Sequence, residues 1–76
     1  MRKKDLKIFI NLGKTVKSLR EEKGLSLYDL SKISGINLRY LKIIEQGNAT
    51  GITIEKIICI AESLKIMPHS LLDKIE

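Results

Sequence analysis

Apolar positions repeat at helical spacing along nearly the whole chain. Between residues 5 and 23, Phe9, Leu12, Val16 and Leu19 fall three or four apart, which puts them on one face of a helix. Gly24 then offers a left-handed stop. Three further helices open with the same device. Ser26, Asn37 and Thr53 are caps, each preceded by an apolar residue and followed by another in the next turn: Leu25 with Leu30, Ile36 with Leu41, Ile52 with Ile57. The cap side chain satisfies an otherwise unpartnered backbone N–H, and the flanking pair staples the entry of the chain. The spacing predicts helices over residues 27–34, 38–46 and 54–64, the first two closed by Gly35 and Gly47. In the fourth helix, Ile54, Ile57, Ile58, Ala61 and Leu64 make a broad stripe expected to be buried. A fifth helix starts near Pro68, the chain's one proline, which suits a first helical position, and carries Leu71, Leu72 and Ile75. The expectation is a single all-α domain over residues 1–76, with no strand.

Residues 25–47 say most about function. Two short helices joined by the tight turn at Gly35 must cross steeply. That is the geometry by which a helix-turn-helix sets its second helix into the major groove of DNA. On a wheel, Leu41 and Ile44 mark the inner face of the third helix. Arg39, Lys42, Ile43 and Gln46 point roughly the other way, and Leu38 sits on the border. Two cations, an amide and an aliphatic group match what base edges present: guanine O6 and N7, adenine N6 and N7, and the thymine methyl. A solvated helix face would look similar. Asp29 places a carboxylate in the first turn of the second helix, where the dipole favours it.

Charge sharpens this picture. The net charge is +5. Residues 1–23 hold eight Lys/Arg against three Asp/Glu, and residues 24–76 hold six of each, so the basic excess belongs to the first helix and its leader. Such a balance suits a polyanion. Arg20 stands apart because it falls on the apolar face of the first helix. A buried guanidinium needs a carboxylate, and Glu45, near the inner edge of the third helix, is its expected partner.

Composition removes other classes. With 43% hydrophobic residues a chain this short can fold alone, although it buries only about 60% of its unfolded surface. Cys59 is the single cysteine, which excludes an internal disulfide, fits a reducing compartment and is expected to act as a small core residue. One Cys and one His, His69, cannot cage zinc. No second histidine or activating cluster supports catalysis, so no enzyme and no cofactor are expected. No apolar run reaches a membrane span of roughly 20 residues. The basic start followed by Leu6, Ile8, Phe9, Ile10 and Leu12 is broken by Lys7 and Asn11, which argues against an export signal. A cytoplasmic protein is expected.

The ordered set Leu12-Gly13-x-x-Val16-x-x-Leu19-Arg20-x-x-Lys23-Gly24-Leu25-Ser26, Leu30, Gly35-Ile36, Tyr40-Leu41, Ile44-Glu45-x-Gly47 and Ile60-Ala61-x-x-Leu64 resembles the Cro/repressor-type (XRE) helix-turn-helix family over about residues 9–72. The resemblance implies a five-helix bundle of the phage-repressor DNA-binding-domain type, with the motif at residues 27–46 in helices 2 and 3. It implies an Arg–Glu pair at Arg20 and Glu45. It implies Asn37, Leu38, Arg39, Lys42 and Ile43 at base-reading and groove positions, and Tyr40 with the turn at residues 47–51 on phosphates. Three departures stand out. Leu27 replaces the Gln that many members use to hold phosphate. Ser31 replaces an Ala at the helix contact, so its hydroxyl must bond to the backbone. Residues 47–53 contain no Lys or Arg, leaving backbone N–H groups near Gly47 and Gly51 to meet phosphate. The basic leader Arg2-Lys3-Lys4 could compensate as an arm on the DNA backbone.

The sequence thus points to a double-stranded-DNA-binding transcriptional regulator, a repressor or autoregulator, acting as a homodimer without a small-molecule effector site. The dimer contact is expected at Leu72 and Ile75, or else at Leu6, Ile8 and Ile10. The alternative is a protein-interaction module, such as an antitoxin-like partner or adaptor, docking through Leu27, Ile33 and Ile43.

Overall fold

The computed structural model describes residues 3–75. Five helices follow in order: α1 (Lys3–Glu22), α2 (Leu27–Ser34), α3 (Leu38–Glu45), α4 (Ile54–Ser63) and α5 (Pro68–Ile75). No strand occurs among the described residues. The first helix starts two residues earlier than its apolar periodicity requires, so Lys3 and Lys4 continue it rather than forming a separate arm; Arg2 lies outside the described residues. Gln46 and Leu64 are the C-caps of α3 and α4.

The helix ends follow from local chemistry. Ser26 Oγ accepts from the Asp29 N–H at 3.0 Å, and Asp29 Oδ2 accepts from the Ser26 N–H at 2.9 Å. This reciprocal box satisfies two N–H groups, a sharper role for Asp29 than a carboxylate near a dipole. The hydrogen bond from the Ser26 N–H holds the Asp29 carboxyl below its ordinary pKa. Asn37 and Thr53 cap α3 and α4 through Oδ1 and Oγ1. After α1 to α4 the chain passes through a left-handed residue: Gly24, Gly35, Gly47 and Lys65. At the last of these, the Ile66 N–H donates to Ala61 O at 2.9 Å and the Lys65 N–H to Glu62 O at 3.1 Å. That is the pattern of a Schellman end carried on a residue with a Cβ.

α1 packs on α3 and α5, α2 on α3 and α4, and α4 on α5. The main core joins Leu12, Val16, Leu30, Ile36, Leu41, Ile44, Ala49, Ile60 and Leu64. A smaller cluster of Ile57, Ala61 and Leu71 lies beside it, and Leu19, Ile52, Ile66 and Leu72 touch both. Two expectations about apolar residues are corrected here. The buried stripe of α4 is Ile57, Ile60, Ala61 and Leu64, while Ile54 and Ile58 are exposed. The helix is apolar nearly all round, so periodicity alone could not select the face. Leu72 is packed against both clusters rather than left over for a partner, and the side chain of Ile75 lies outside the described residues. Leu6, Ile8 and Ile10 are exposed.

Candidate nucleic-acid interface

The second helix of the motif is held from behind by α1. Arg20 is only 9% exposed. Its Nε donates to Glu45 Oε2 at 2.7 Å and one terminal nitrogen to Glu45 Oε1 at 3.0 Å; the other terminal nitrogen donates to Leu25 O at 2.7 Å. One guanidinium therefore ties together α1, the turn into α2, and the end of α3. The bidentate fit uses the planar fork that lysine lacks. The hydrogen bond to Glu45 raises the Arg20 pKa above its ordinary value, so the cation is fixed. The pairing also removes Glu45 as a neutralising partner for Arg39 and Lys42.

The turn between the motif helices is fastened by small side chains. Ser31 Oγ donates to Ile36 O at 2.7 Å, and Ser34 Oγ accepts from the Ile36 N–H at 3.1 Å. The Ser31 hydroxyl thus bonds forward across the turn, not to the preceding turn of its own helix. Cys59 is half-buried and its thiol donates to Ser34 O at 3.1 Å, so beyond filling space it satisfies a carbonyl at the end of α2. Leu27 packs on the main core.

On the far face of α3, Arg39, Lys42 and Gln46 are exposed. Asn37, Leu38, Arg39 and Lys42 border one shallow surface depression. Asn37 Oδ1 is engaged, accepting from the Arg39 N–H at 2.8 Å, which leaves its Nδ2 to face outward chemistry. Ile43 departs from the wheel. It is half-buried and packs on the core together with Tyr40 and Ile52. A wheel gives direction about one axis and carries no information on where the next segment runs. Here the chain turns back at Gly47, the Asn48 N–H donates to Ile43 O at 3.0 Å, and Ile52 joins the same cluster.

The turn after α3 is also more occupied than expected. Gly47 is buried and its N–H donates to Ile44 O at 3.0 Å, so that group is not free for phosphate. Gly51 is exposed. A cation does stand beside this loop, on the next helix: Lys56 Nζ lies 4.2 Å from the centroid of the Tyr40 ring. Sequence reading missed Lys56 because it stands three residues beyond the loop. Its place in the first turn of α4, after the Thr53 cap, was the available signal. Of the three apolar residues considered as a docking patch, Leu27 and Ile43 are packed on the core and Ile33 is exposed.

Among the described residues there is no group of three metal-ligating side chains and no helix long and apolar enough to cross a membrane.

This architecture, a short helix braced at its back and open on its polar face, defines a helix-turn-helix domain. A family model described as a helix-turn-helix domain matches residues 13–76, and the chain belongs to that family, in its Cro/repressor (XRE) type. It is similar to SinR, an HTH-type transcriptional regulator of Bacillus subtilis, at 33% identity over 63 residues. The match covers 83% of this chain and 57% of SinR, so the chain spans a little over half the length of that relative. Among solved structures, the restriction-modification controller protein C.AhdI from Aeromonas hydrophila superposes with a TM-score of 0.78 at 30% identity, covering 83% of this chain and 94% of that one. A crystal structure of SinR in complex with DNA gives a TM-score of 0.76 at 34% identity, covering 82% and 98% respectively.

Proposed function

We propose that the chain is a sequence-specific DNA-binding transcriptional regulator of the cytoplasm, a repressor or autoregulator, that reads the major groove with α3. The observation that carries this is the exposure of Arg39 and Lys42 on the face of α3 opposite Leu41 and Ile44, while Glu45 is taken up by Arg20. Asn37, Leu38 and Gln46 complete the reading surface. Ile43 contributes only its uncovered part, as a contact for a thymine methyl. Tyr40 and Lys56 form the phosphate contact on the flank. The structural likeness to SinR bound to DNA and to a controller protein supports this reading. A lone unit covers few base pairs, so a homodimer on half-sites about 34 Å apart is part of the proposal. Nothing in this role is enzymatic.

Binding of wild type and Arg39→Ala to a panel of single-base operator variants tests it. Loss of about 1–3 kcal/mol, with preference relaxed at one position, marks a base contact. Equal loss on all sequences marks a phosphate contact. Affinity for duplex DNA that is absent, or insensitive to salt, overturns the proposal.

A further inference from the structure

The outer side of α1 carries cations that the reading surface does not use. Lys7, Lys14 and Lys17 are exposed and none forms an ion pair among the described residues. Ile10, also exposed, lies between them, and Leu6, exposed as well, stands at the edge of the stripe nearest Gly13. On a helix these five positions fall within an arc of about 100°. The α3-facing side of α1 is fixed by Gly13 and Arg20, and the centre of the stripe lies about 80° around the helix from it. The stripe therefore looks to one side of the molecule, with Ile10 set against Gly47 in the turn after α3, while the polar face of α3 looks away from α1. Toward its α5 side, Lys14 also rims a surface groove between α1 and α5, lined further by Thr15, Ser18, Leu19, Glu22 and Lys74. Glu21 closes the stripe four residues after Lys17.

We propose that this stripe is a second interaction surface, which docks an acidic amphipathic helix of a partner protein. The inference rests on the DNA-reading proposal only in assigning the duplex to α3. Charge complementarity selects the occupant. A second copy of the chain would set Lys7, Lys14 and Lys17 against the same three cations with Glu21 alone to offset them, a net repulsive arrangement. Leu6 and Ile10 gain nothing from a phosphate backbone. Two apolar side chains offer too little area for an interfacial helix on a lipid surface. An amphipathic helix with Glu or Asp on one flank and Leu four residues apart satisfies both kinds of group at once. Such a contact gives the domain a way to recruit, or be sequestered by, another protein while the duplex is bound.

The test uses the full chain, isotope-labelled, and a synthetic helical peptide carrying a Glu-rich flank and Leu pairs at i and i+4. The expected result is amide shifts at residues 6–18 with residues 37–46 unmoved. K14E/K17E should weaken the peptide about tenfold, R39A should leave it unchanged, and a peptide with Gln for Glu should not bind. Duplex DNA should move residues 37–46, and K14E/K17E should keep its operator preference. Peptide shifts centred on α3, or no shifts at all, overturn the proposal. So does protection of the stripe by duplex DNA, self-association lost in K14E/K17E, or K14E/K17E-sensitive binding to phosphatidylserine vesicles. Failure of the DNA-reading proposal shows separately, as loss of the α3 shifts with duplex while the peptide still binds.

Discussion

The carbonyl of Glu45 lies where a side chain on Gly13 would have to go. A Cβ at Gly13 would stand 2.8 Å from that oxygen and 3.0 Å from its carbon, closer than packed atoms tolerate. The Ile44 carbonyl oxygen stands closer still, so the obstacle is backbone from two successive residues, which no rotamer change moves. The same α1 face, two turns on, sends Arg20 to the Glu45 carboxylate. α1 therefore grips the end of α3 through one backbone approach and one ion pair, and this sets how far the reading helix stands out from the body.

Gly13→Ala should destabilise the fold, against the direction of helix propensity. Ala in a helix interior is normally better than Gly by about 1 kcal/mol. Here overpacking should dominate, with a net loss of about 1–3 kcal/mol. Thermal unfolding by circular dichroism should register about 4–8 °C for each kcal/mol. An unchanged or raised midpoint would refute the close approach.

Arg20→Ala should cost about 3–5 kcal/mol, because it strands a largely buried Glu45 carboxylate. The double variant Arg20→Leu, Glu45→Leu should recover most of that loss, since it buries no unpaired charge. Urea unfolding of the three proteins checks this. Equal destabilisation in the single and double variants would mean that packing of the arginine stem, not the ion pair, holds α3.

Lys65 adopts a left-handed backbone, with φ of 57°. A residue with a Cβ is strained there by roughly 1–2 kcal/mol, and Gly is not. Gly also leaves the unfolded chain freer, which opposes the gain by about 0.4–1 kcal/mol. Lys65→Gly should therefore raise stability by up to about 1 kcal/mol, read as a higher unfolding midpoint at unchanged DNA affinity.

Asn37 caps α3, and a DNA contact through its Nδ2 is part of the proposed reading surface. Replacing it with Ala removes the cap on α3 and should cost about 1 kcal/mol of stability. Asn37→Ser keeps an acceptor for the Arg39 N–H and should stay close to wild type in unfolding. If Nδ2 contacts DNA, both variants should bind the duplex more weakly. Fluorescence anisotropy alongside thermal unfolding separates the two.

Asp29 gives the fold an acid sensitivity whose sign is fixed. Its carboxyl has a lower pKa in the folded state, because the Ser26 N–H favours the anion. The stabilisation is complete above the unfolded value of about 3.9 and is lost as pH falls through the lower folded value. Asp29→Asn should flatten the fall in stability below about pH 4 relative to wild type. A parallel pair of stability–pH curves would show that the box contributes nothing.

Local information was legible in the order of residues. Caps at Ser26, Asn37 and Thr53 and stops at Gly24, Gly35 and Gly47 act within a few residues of themselves, so the sequence alone placed five helices within two residues of their ends. It also put Arg20 on an apolar face, where only a carboxylate could satisfy it, and Arg39 and Lys42 opposite Leu41 and Ile44. What only the tertiary structure decided is which flank of each helix something else covers. Ile43 is packed because the chain folds back after Gly47; Ile54 is bare because α4 buries its other side; Lys56 reaches Tyr40 across two helices; and Gly13 is small because Glu45 comes from thirty-two positions away. Helix caps and periodicity are short-range, whereas burial depends on the approach of segments distant in the chain, and no single helix contains that information.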